Sequence, residues 1–200
     1  MDTYHERRTY MDAQTLSAAV LAGGFSSRMG QDKAKLTFHG TRLIEYQVNK
    51  LKRLGIRDIL LSGYDGEVDG TRCISDLYPH KGPLSGVHAC LLAARNPACL
   101  FVGVDIPLVP AETLADLMQA HEGGATVLFA GEKMEPLLAV YDCSLAPQVE
   151  EILLSEKTSM KRFLSNVSMK PYQYLGDPEL LANCNTPDEF ARIAAQEPRS

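Results

Sequence analysis

The sequence predicts an α/β domain with a mostly parallel sheet and helices on both faces. Three observations predict it. Strand-like and helical segments follow one another in the order βαβ…βαβαβ, as parallel strands joined by crossover helices do. Residues 99–104 form an apolar run, as expected of a strand covered on both faces. Glycine-rich or acidic loops follow three of the strand-like runs, and in such sheets ligands sit beyond the carboxyl ends of the strands.

The elements read as follows. Residues 16–21 are a short apolar strand. Residues 43–54 carry Ile44, Val48, Leu51 and Leu54 at helical spacing, with Gly55 where a C-terminal cap belongs. Residues 56–62 and 71–75 are strands, 84–94 a helix, 99–104 the central strand and 111–121 a helix. Residues 125–130 and 135–141 are strands separated by a short tract, Glu132-Lys133-Met134. Residues 145–154 and 159–166 are helical, 172–175 a short strand and 181–184 a weak one. Residues 186–195 form a helix with Thr186 as N-cap and Pro187 in the first turn.

The 200 residues suit one domain with a proper core, expected over 15–200. Residues 1–14 are polar, lack the apolar centre of a signal peptide, and are expected to be a flexible extension. No apolar run approaches the roughly 20 residues of a membrane span, so no membrane association is expected. A net charge of −5 argues against non-specific nucleic-acid binding but leaves room for local basic clusters. Five scattered cysteines without CxxC spacing speak against a zinc site or a disulfide framework, and fit a reducing cytoplasm.

The most informative stretch is Leu21-Ala22-Gly23-Gly24-Phe25-Ser26-Ser27-Arg28-Met29-Gly30-Gln31-Asp32-Lys33. Its glycines let the backbone approach a ligand, and loop N–H groups so arranged make a concave anion site. Arg28 and Lys33 add the positive charge a polyphosphate needs. The string is not a Walker loop, because Gln31 follows Gly30, and its glycines miss the spacing of the dinucleotide fingerprint. A plain turn with two solvated basic residues is the competing explanation; the full string favours the phosphate cradle.

Two further loops carry chemistry. Asp76-Leu77-Tyr78-Pro79-His80-Lys81-Gly82-Pro83-Leu84-Ser85-Gly86 joins a strand to a helix, whose first N–H groups would face the same site. A helix-entry turn with a packing glycine explains it equally well. Asp105 ends the apolar strand, where an unpaired carboxylate is costly to bury. It is suited to Mg²⁺, which takes one or two protein carboxylates and completes its shell with phosphates and water. The alternative is a capping Asp for the helix that follows. Asn183 and Asn185 would point the same way on an extended segment; taken alone, helix capping by Asn185 or Thr186 is the better explanation. His39, His80, His88 and His121 form no triad or ligand spacing, and His80 is nearest the site.

LAGGxSxRMGxDKA, matched from Leu21 to Ala34, resembles the signature of the MobA-like nucleotidyltransferases, and most closely that of the molybdenum cofactor guanylyltransferases. Further segments resemble the family in order: Asp76 with Gly82-Pro83-Leu84-Ser85-Gly86, Asp105-Ile106-Pro107, Glu135-Pro136-Leu137-Leu138-Ala139, and Asn183-Cys184-Asn185-Thr186-Pro187-Asp188. Cys184 replaces a commoner apolar residue. The resemblance implies a Rossmann-like, three-layer α/β/α nucleotidyltransferase fold. It implies transfer of GMP from MgGTP to the terminal phosphate of molybdopterin or Mo-molybdopterin, with pyrophosphate released. It implies that Leu21, Ala22, Gly23, Gly24, Arg28, Lys33, Asp76, Gly82 and Asp105 bind the nucleotide. Of these, Arg28, Lys33 and Asp105 would serve catalysis and Asp105 would carry Mg²⁺, while Asn183 and Asn185 would face the pterin. Molybdopterin-processing proteins and recipient molybdoenzymes are the implied protein partners. A cytidylyltransferase using CTP is the nearest alternative, disfavoured by Pro83, and a non-catalytic GTP-binding carrier of the cofactor is a second.

Overall fold

The computed structural model describes residues 13–23 and 33–196. The first strand, β1 (Ser17–Leu21), is buried at every position. A two-residue ribbon, β2 (Thr37–Phe38) and β3 (Thr41–Arg42), precedes α1 (Leu43–Arg53). Then come β4 (Asp58–Ser62), β5 (Thr71–Ile74), α2 (Pro83–Ala93), β6 (Ala98–Gly103), α3 (Ala111–Gln119), β7 (Ala125–Ala130) and β8 (Lys133–Asp142). The remaining elements are α4 (Ala146–Leu154), α5 (Met160–Leu164), β9 (Met169–Gln173) and α6 (Pro187–Ala194).

Seven strands form one sheet in the order β5-β4-β1-β6-β8-β7-β9. Every neighbouring pair is parallel except the two made by β8, which runs against both β6 and β7. Apolar residues of α1, α3 and α6 pack on one face of the sheet. Those of α2, α4 and α5 pack on the other. The expected three-layer architecture with a mostly parallel sheet is therefore present. The apolar run of β6 does sit centrally, with a parallel neighbour on one side and the reversed β8 on the other.

Local chemistry explains the boundaries. Gly55 follows α1 with its N–H donating to Lys52 O at 3.0 Å. Thr186 caps α6: its hydroxyl accepts from Glu189 N–H at 3.2 Å, and the Glu189 carboxylate accepts from Thr186 N–H at 2.9 Å. The pairing of β7 with β8 shifts between Val127↔Ala139 and Leu128↔Glu135, and the resulting bulge takes up Pro136, which has no N–H for a ladder.

Two expectations need correction. Residues 181–184 are not a strand: the chain makes a 3₁₀ turn at Pro178–Leu181, started by the Asp177 carboxylate accepting from Glu179 N–H at 3.0 Å, and continues unpaired. Leu180, Leu181 and Cys184 are apolar because they fill the core. The strand expected at 172–175 lies earlier, at Met169–Gln173, and Leu175 beyond it is fully exposed.

The amino end of the sheet is closed by polar groups that satisfy one another. The Asp58 carboxylate accepts from Ser17 Oγ at 2.7 Å, Arg95 N–H at 2.9 Å and the Arg72 guanidinium at 2.7 Å. Burial pushes the Asp58 carboxyl upward, but these bonds outweigh it and hold it below its ordinary value. Further along the same end, the His121 ring bridges Thr126 Oγ1 and Asp142 Oδ1, each at 3.0 Å.

Candidate functional site

Because β1, β4, β5 and β6 are parallel, the chain leaves all four at one end of the sheet. Gly23, Gly63, Asp76 and Asp105 stand there, after β1, β4, β5 and β6 respectively. The loops after β1 and β4 touch backbone to backbone. Gly63 has φ +72°, and a Cβ on it would lie 2.3 Å from the Cα of Gly23. Only two glycines allow this approach.

A cavity of about 420 Å³ opens beside this contact, lined by Leu21, Gly23, Ser62, Asp76, His80, Gly82, Pro83 and Gly86. Ser62 Oγ donates to Asp76 Oδ1 at 3.2 Å, turning the carboxylate toward the strand ends. Gly82 sits at φ +71° and ψ −164°, a conformation reserved to glycine, and from it α2 starts with Pro83 in its first turn. Gly86 lets α2 lie close, since a Cβ there would meet Ser62 Oγ at 2.5 Å. The 76–82 loop is tied down behind the cavity. Ser85 Oγ donates to Tyr78 O at 2.7 Å, and the Tyr78 hydroxyl donates to the Glu150 carboxylate of α4.

A second cluster forms beyond β6. Lys33 Nζ donates to Asn185 Oδ1 at 2.7 Å, joining positions 152 residues apart. Cys184 N–H donates to Asp105 O at 2.8 Å, which fastens the 183–185 segment to the loop after β6. Asn183 is half-buried in that segment. The Asp105 carboxylate lies over Gly103, where a Cβ would come within 2.6 Å of Oδ1. Burial raises the Asp105 carboxyl above its ordinary value, and the nearby Lys33 ammonium opposes the shift. Asp105 caps no helix, because α3 begins after Pro110. Asn185 caps none either, since Thr186 takes that role and leaves the amide to Lys33.

The loop from Gly103 to Val109 is held from α1. Gln47 Nε2 donates to Gly103 O at 2.9 Å and Ile106 O at 3.0 Å. Lys50 Nζ donates to Pro107 O at 2.7 Å and Val109 O at 2.8 Å. Burial, with Arg53 nearby, pushes the Lys50 ammonium down to about 7.

The structure thus brings Leu21, Gly23, Asp76 and Gly82 to one cavity, and Lys33, Asp105 and Asn185 to one cluster, with Ala22 beside them donating its N–H to Ser62 O at 2.9 Å. Gly24 and Arg28 lie outside the described residues. Four participants escape a reading of motifs: Gln47, Lys50, Ser62 and Gly63. For Ser62 and Gly63 a signal existed, since they end a parallel strand at the same edge as the other loops. Gln47 and Lys50 read as ordinary helix-surface residues.

Comparison with known proteins gives the family of the fold. Residues 18–171 match the MobA-like NTP transferase domain. A probable molybdenum cofactor guanylyltransferase of Carboxydothermus hydrogenoformans is 34% identical over 90% of this chain and 95% of its own. A molybdenum cofactor guanylyltransferase of Xanthomonas euvesicatoria is 31% identical over 91% of this chain and 96% of its own. The crystal structure of molybdopterin-guanine dinucleotide biosynthesis protein A from Archaeoglobus fulgidus superposes with a TM-score of 0.74 at 25% identity, over 89% of this chain and 96% of that one. With its parallel strand ends, glycine contact and acidic loops in that order, the chain belongs to the MobA-like NTP transferase family.

Proposed function

We propose that the protein transfers GMP from GTP to the terminal phosphate of molybdopterin, forming the guanine dinucleotide cofactor and releasing pyrophosphate. The observation that carries the reading is the convergence of Lys33, Asp76, Asp105 and the 183–185 segment on one end of the sheet. The relatives' names supply the substrates.

The chemistry asks little of the protein beyond placement. A phosphate oxygen of the acceptor is ionised at neutral pH and attacks the α-phosphorus without a strong base. The bond to the leaving pyrophosphate then breaks, so positioning and relief of charge carry the rate. The cavity floor of Leu21 and Pro83 offers apolar contact to a flat base. Asp76 gives a carboxylate that accepts from both N1–H and N2–H of guanine, whereas cytosine presents only its amino group. Lys33, with Arg28 from the glycine loop, neutralises the phosphates. Asn183 and Asn185 offer amides to the pterin, whose ring edges carry donors and acceptors.

Among the described residues no three metal-ligating side chains cluster. The Asp105 carboxylate, which has no side-chain hydrogen-bond partner among the described residues, is raised by burial and lies near Lys33, and it fits Mg²⁺ that draws its other ligands from phosphates and water. Asp105 would hold it. Bound there, the ion would polarise the phosphoryl oxygens and steady the departing charge.

The five cysteines are free thiols, which fits a reducing cytoplasm, and the product would pass to molybdoenzymes. No helix among the described residues is long and apolar enough to cross a membrane. The test is nucleotide binding and pyrophosphate release with GTP, CTP and ATP, with Mg²⁺ or EDTA, then with molybdopterin as acceptor. Selective Mg²⁺-dependent use of GTP supports the reading. Preference for CTP replaces guanylyl with cytidylyl transfer, and binding without turnover on any acceptor leaves a carrier.

A further inference from the structure

The loop that carries Asp105 has little to hold it by itself. β6 ends at Gly103 and α3 begins at Ala111, with Pro110 O already accepting from Leu114 N–H, so the carbonyl groups of residues 104–109 lie outside any ladder or helix. Pro107 and Pro110 remove two N–H groups that could have answered them locally. Buried carbonyls need donors. Those of Ile106, Pro107 and Val109, and that of Gly103, which also takes a long bond of 3.5 Å from Ile106 N–H, find donors on two side chains of α1, Gln47 and Lys50. Both side chains are buried, at 1% and 6% exposure.

Stability alone would not choose this arrangement. A buried ammonium loses its hydration, and Gln47 Oε1 is left buried without a hydrogen-bond partner among the described residues. What the pair gains is geometry. Bonds at residues 103 and 106 bracket Asp105, and those at 107 and 109 fix the turn toward α3. The peptide bearing the carboxylate is thereby fixed on a rigid helix, while Cys184 N–H grips its carbonyl from the other side.

We propose that Gln47 and Lys50 are positioning residues for nucleotidyl transfer: by clamping the main chain of residues 103–109 they aim the Asp105 carboxylate at the nucleotide phosphates and their cation. This rests on the reading of Asp105 as the carboxylate that faces the nucleotide.

The test uses the full chain with Lys50→Met and Gln47→Met, each close in volume to the native side chain, and Ser17→Ala at the opposite end of the sheet as a stability control. For each, nucleotide affinity is measured by calorimetry with Mg²⁺ and with EDTA, beside steady-state kinetics and thermal unfolding. Loss of the clamp should lower kcat about 100-fold, the size of effect that a displacement near 1 Å produces. It should abolish the Mg²⁺-dependent gain in affinity while affinity in EDTA stays within about threefold. Ser17→Ala should lower the melting temperature and leave both quantities alone.

Wild-type kcat and Mg²⁺ response in both Met variants would overturn the proposal. So would losses that track melting temperature alike in all three proteins. Failure of both Met variants to fold would also overturn it, making the pair a folding determinant. The variant-to-wild-type ratio is read with whichever nucleotide the wild type takes. Failure of the guanine reading therefore shows in the wild type and failure of this one in the ratio.

Discussion

The two ends of the sheet are built from the same residue types and differ in how those residues are satisfied. At the amino end, Asp58 accepts four hydrogen bonds from three residues, Arg72 also donates to Ala93 O at 2.9 Å, and Ser17 Oγ both donates to Asp58 and accepts from Asn96. At the carboxyl end, among the described residues, Asp105 is half-buried with no side-chain donor, Asp76 has a single long bond to Ser62, and Lys33 is held by a neutral amide. The two aspartates respond oppositely: the bonds around Asp58 lower its carboxyl, and burial raises that of Asp105. One end spends its polar groups on the fold, and on the proposed reading the other keeps them for the nucleotide. On that reading closure and catalysis are separated along the strands.

The comparison can be broken most directly at Asp58. Asp58→Ala strips the partner from Arg72 and Ser17 and should cost about 3 kcal/mol of stability by urea unfolding, with kcat per folded molecule unchanged. Its pH dependence has a fixed sign. The carboxyl is lowered in the folded state, so its contribution is complete above the unfolded value near 3.8 and is lost as pH falls through the folded one. A parallel loss of kcat would mean that the ends are coupled.

Asp105→Asn should do the reverse, lowering turnover about 100-fold, or ~2.7 kcal/mol, without destabilising the protein. Here the folded carboxyl is raised, so ionisation costs stability as pH rises through the folded value and costs none below the ordinary 3.8. The Asn variant should therefore be more stable than wild type at neutral pH, and the gap should close on acidification. A variant less stable than wild type at neutral pH would show that the charge is structural.

Two smaller changes sharpen the contrast. Lys33→Ala should weaken nucleotide binding by about 2 kcal/mol, the loss of one charged contact, with unfolding unaffected. Titration calorimetry checks it, and an unchanged affinity would remove Lys33 from the site. Thr186→Ala should cost about 1 kcal/mol of stability, because it removes the α6 cap while Asn185 keeps its bond to Lys33. A drop in affinity larger than the drop in stability would tie the cap to the site.

The division between the ends was only half legible in the sequence. The helical spacing of α1, the entry of α2 at Gly82 and Pro83, the apolar β6 and the cap of α6 all followed from local chemistry. Asp105 stood out because a carboxylate ending an apolar strand is unusual, and Asp76 through the loop it shares with Gly82-Pro83-Leu84-Ser85-Gly86 and the family pattern that loop resembles. The insertion of β8 between β6 and β7 was not legible, since periodicity reports a strand and not its neighbours. Lys50 was not legible because a lysine on a helix is expected in water, and only the returning 103–109 loop buries it. Residues 181–184 misled because apolar residues packing a core without a ladder resemble a short strand.

The reversed β8 also bears on how the chain is made. A polypeptide emerging from the ribosome completes β5, β4, β1 and β6 before β8 exists, and β6 is then an unpaired edge, apolar at nearly every position. That edge waits for some forty further residues, from Gly103 to Asp142, before the strand that covers it has been synthesised. In the finished sheet β8 joins β6 to β7, and β7 in turn holds β9, so β7 and β9 reach the rest of the sheet only through β8. Until β8 pairs with β6, the half-made protein exposes the apolar edge of β6. Slow translation or truncation within this interval would therefore favour aggregation over folding.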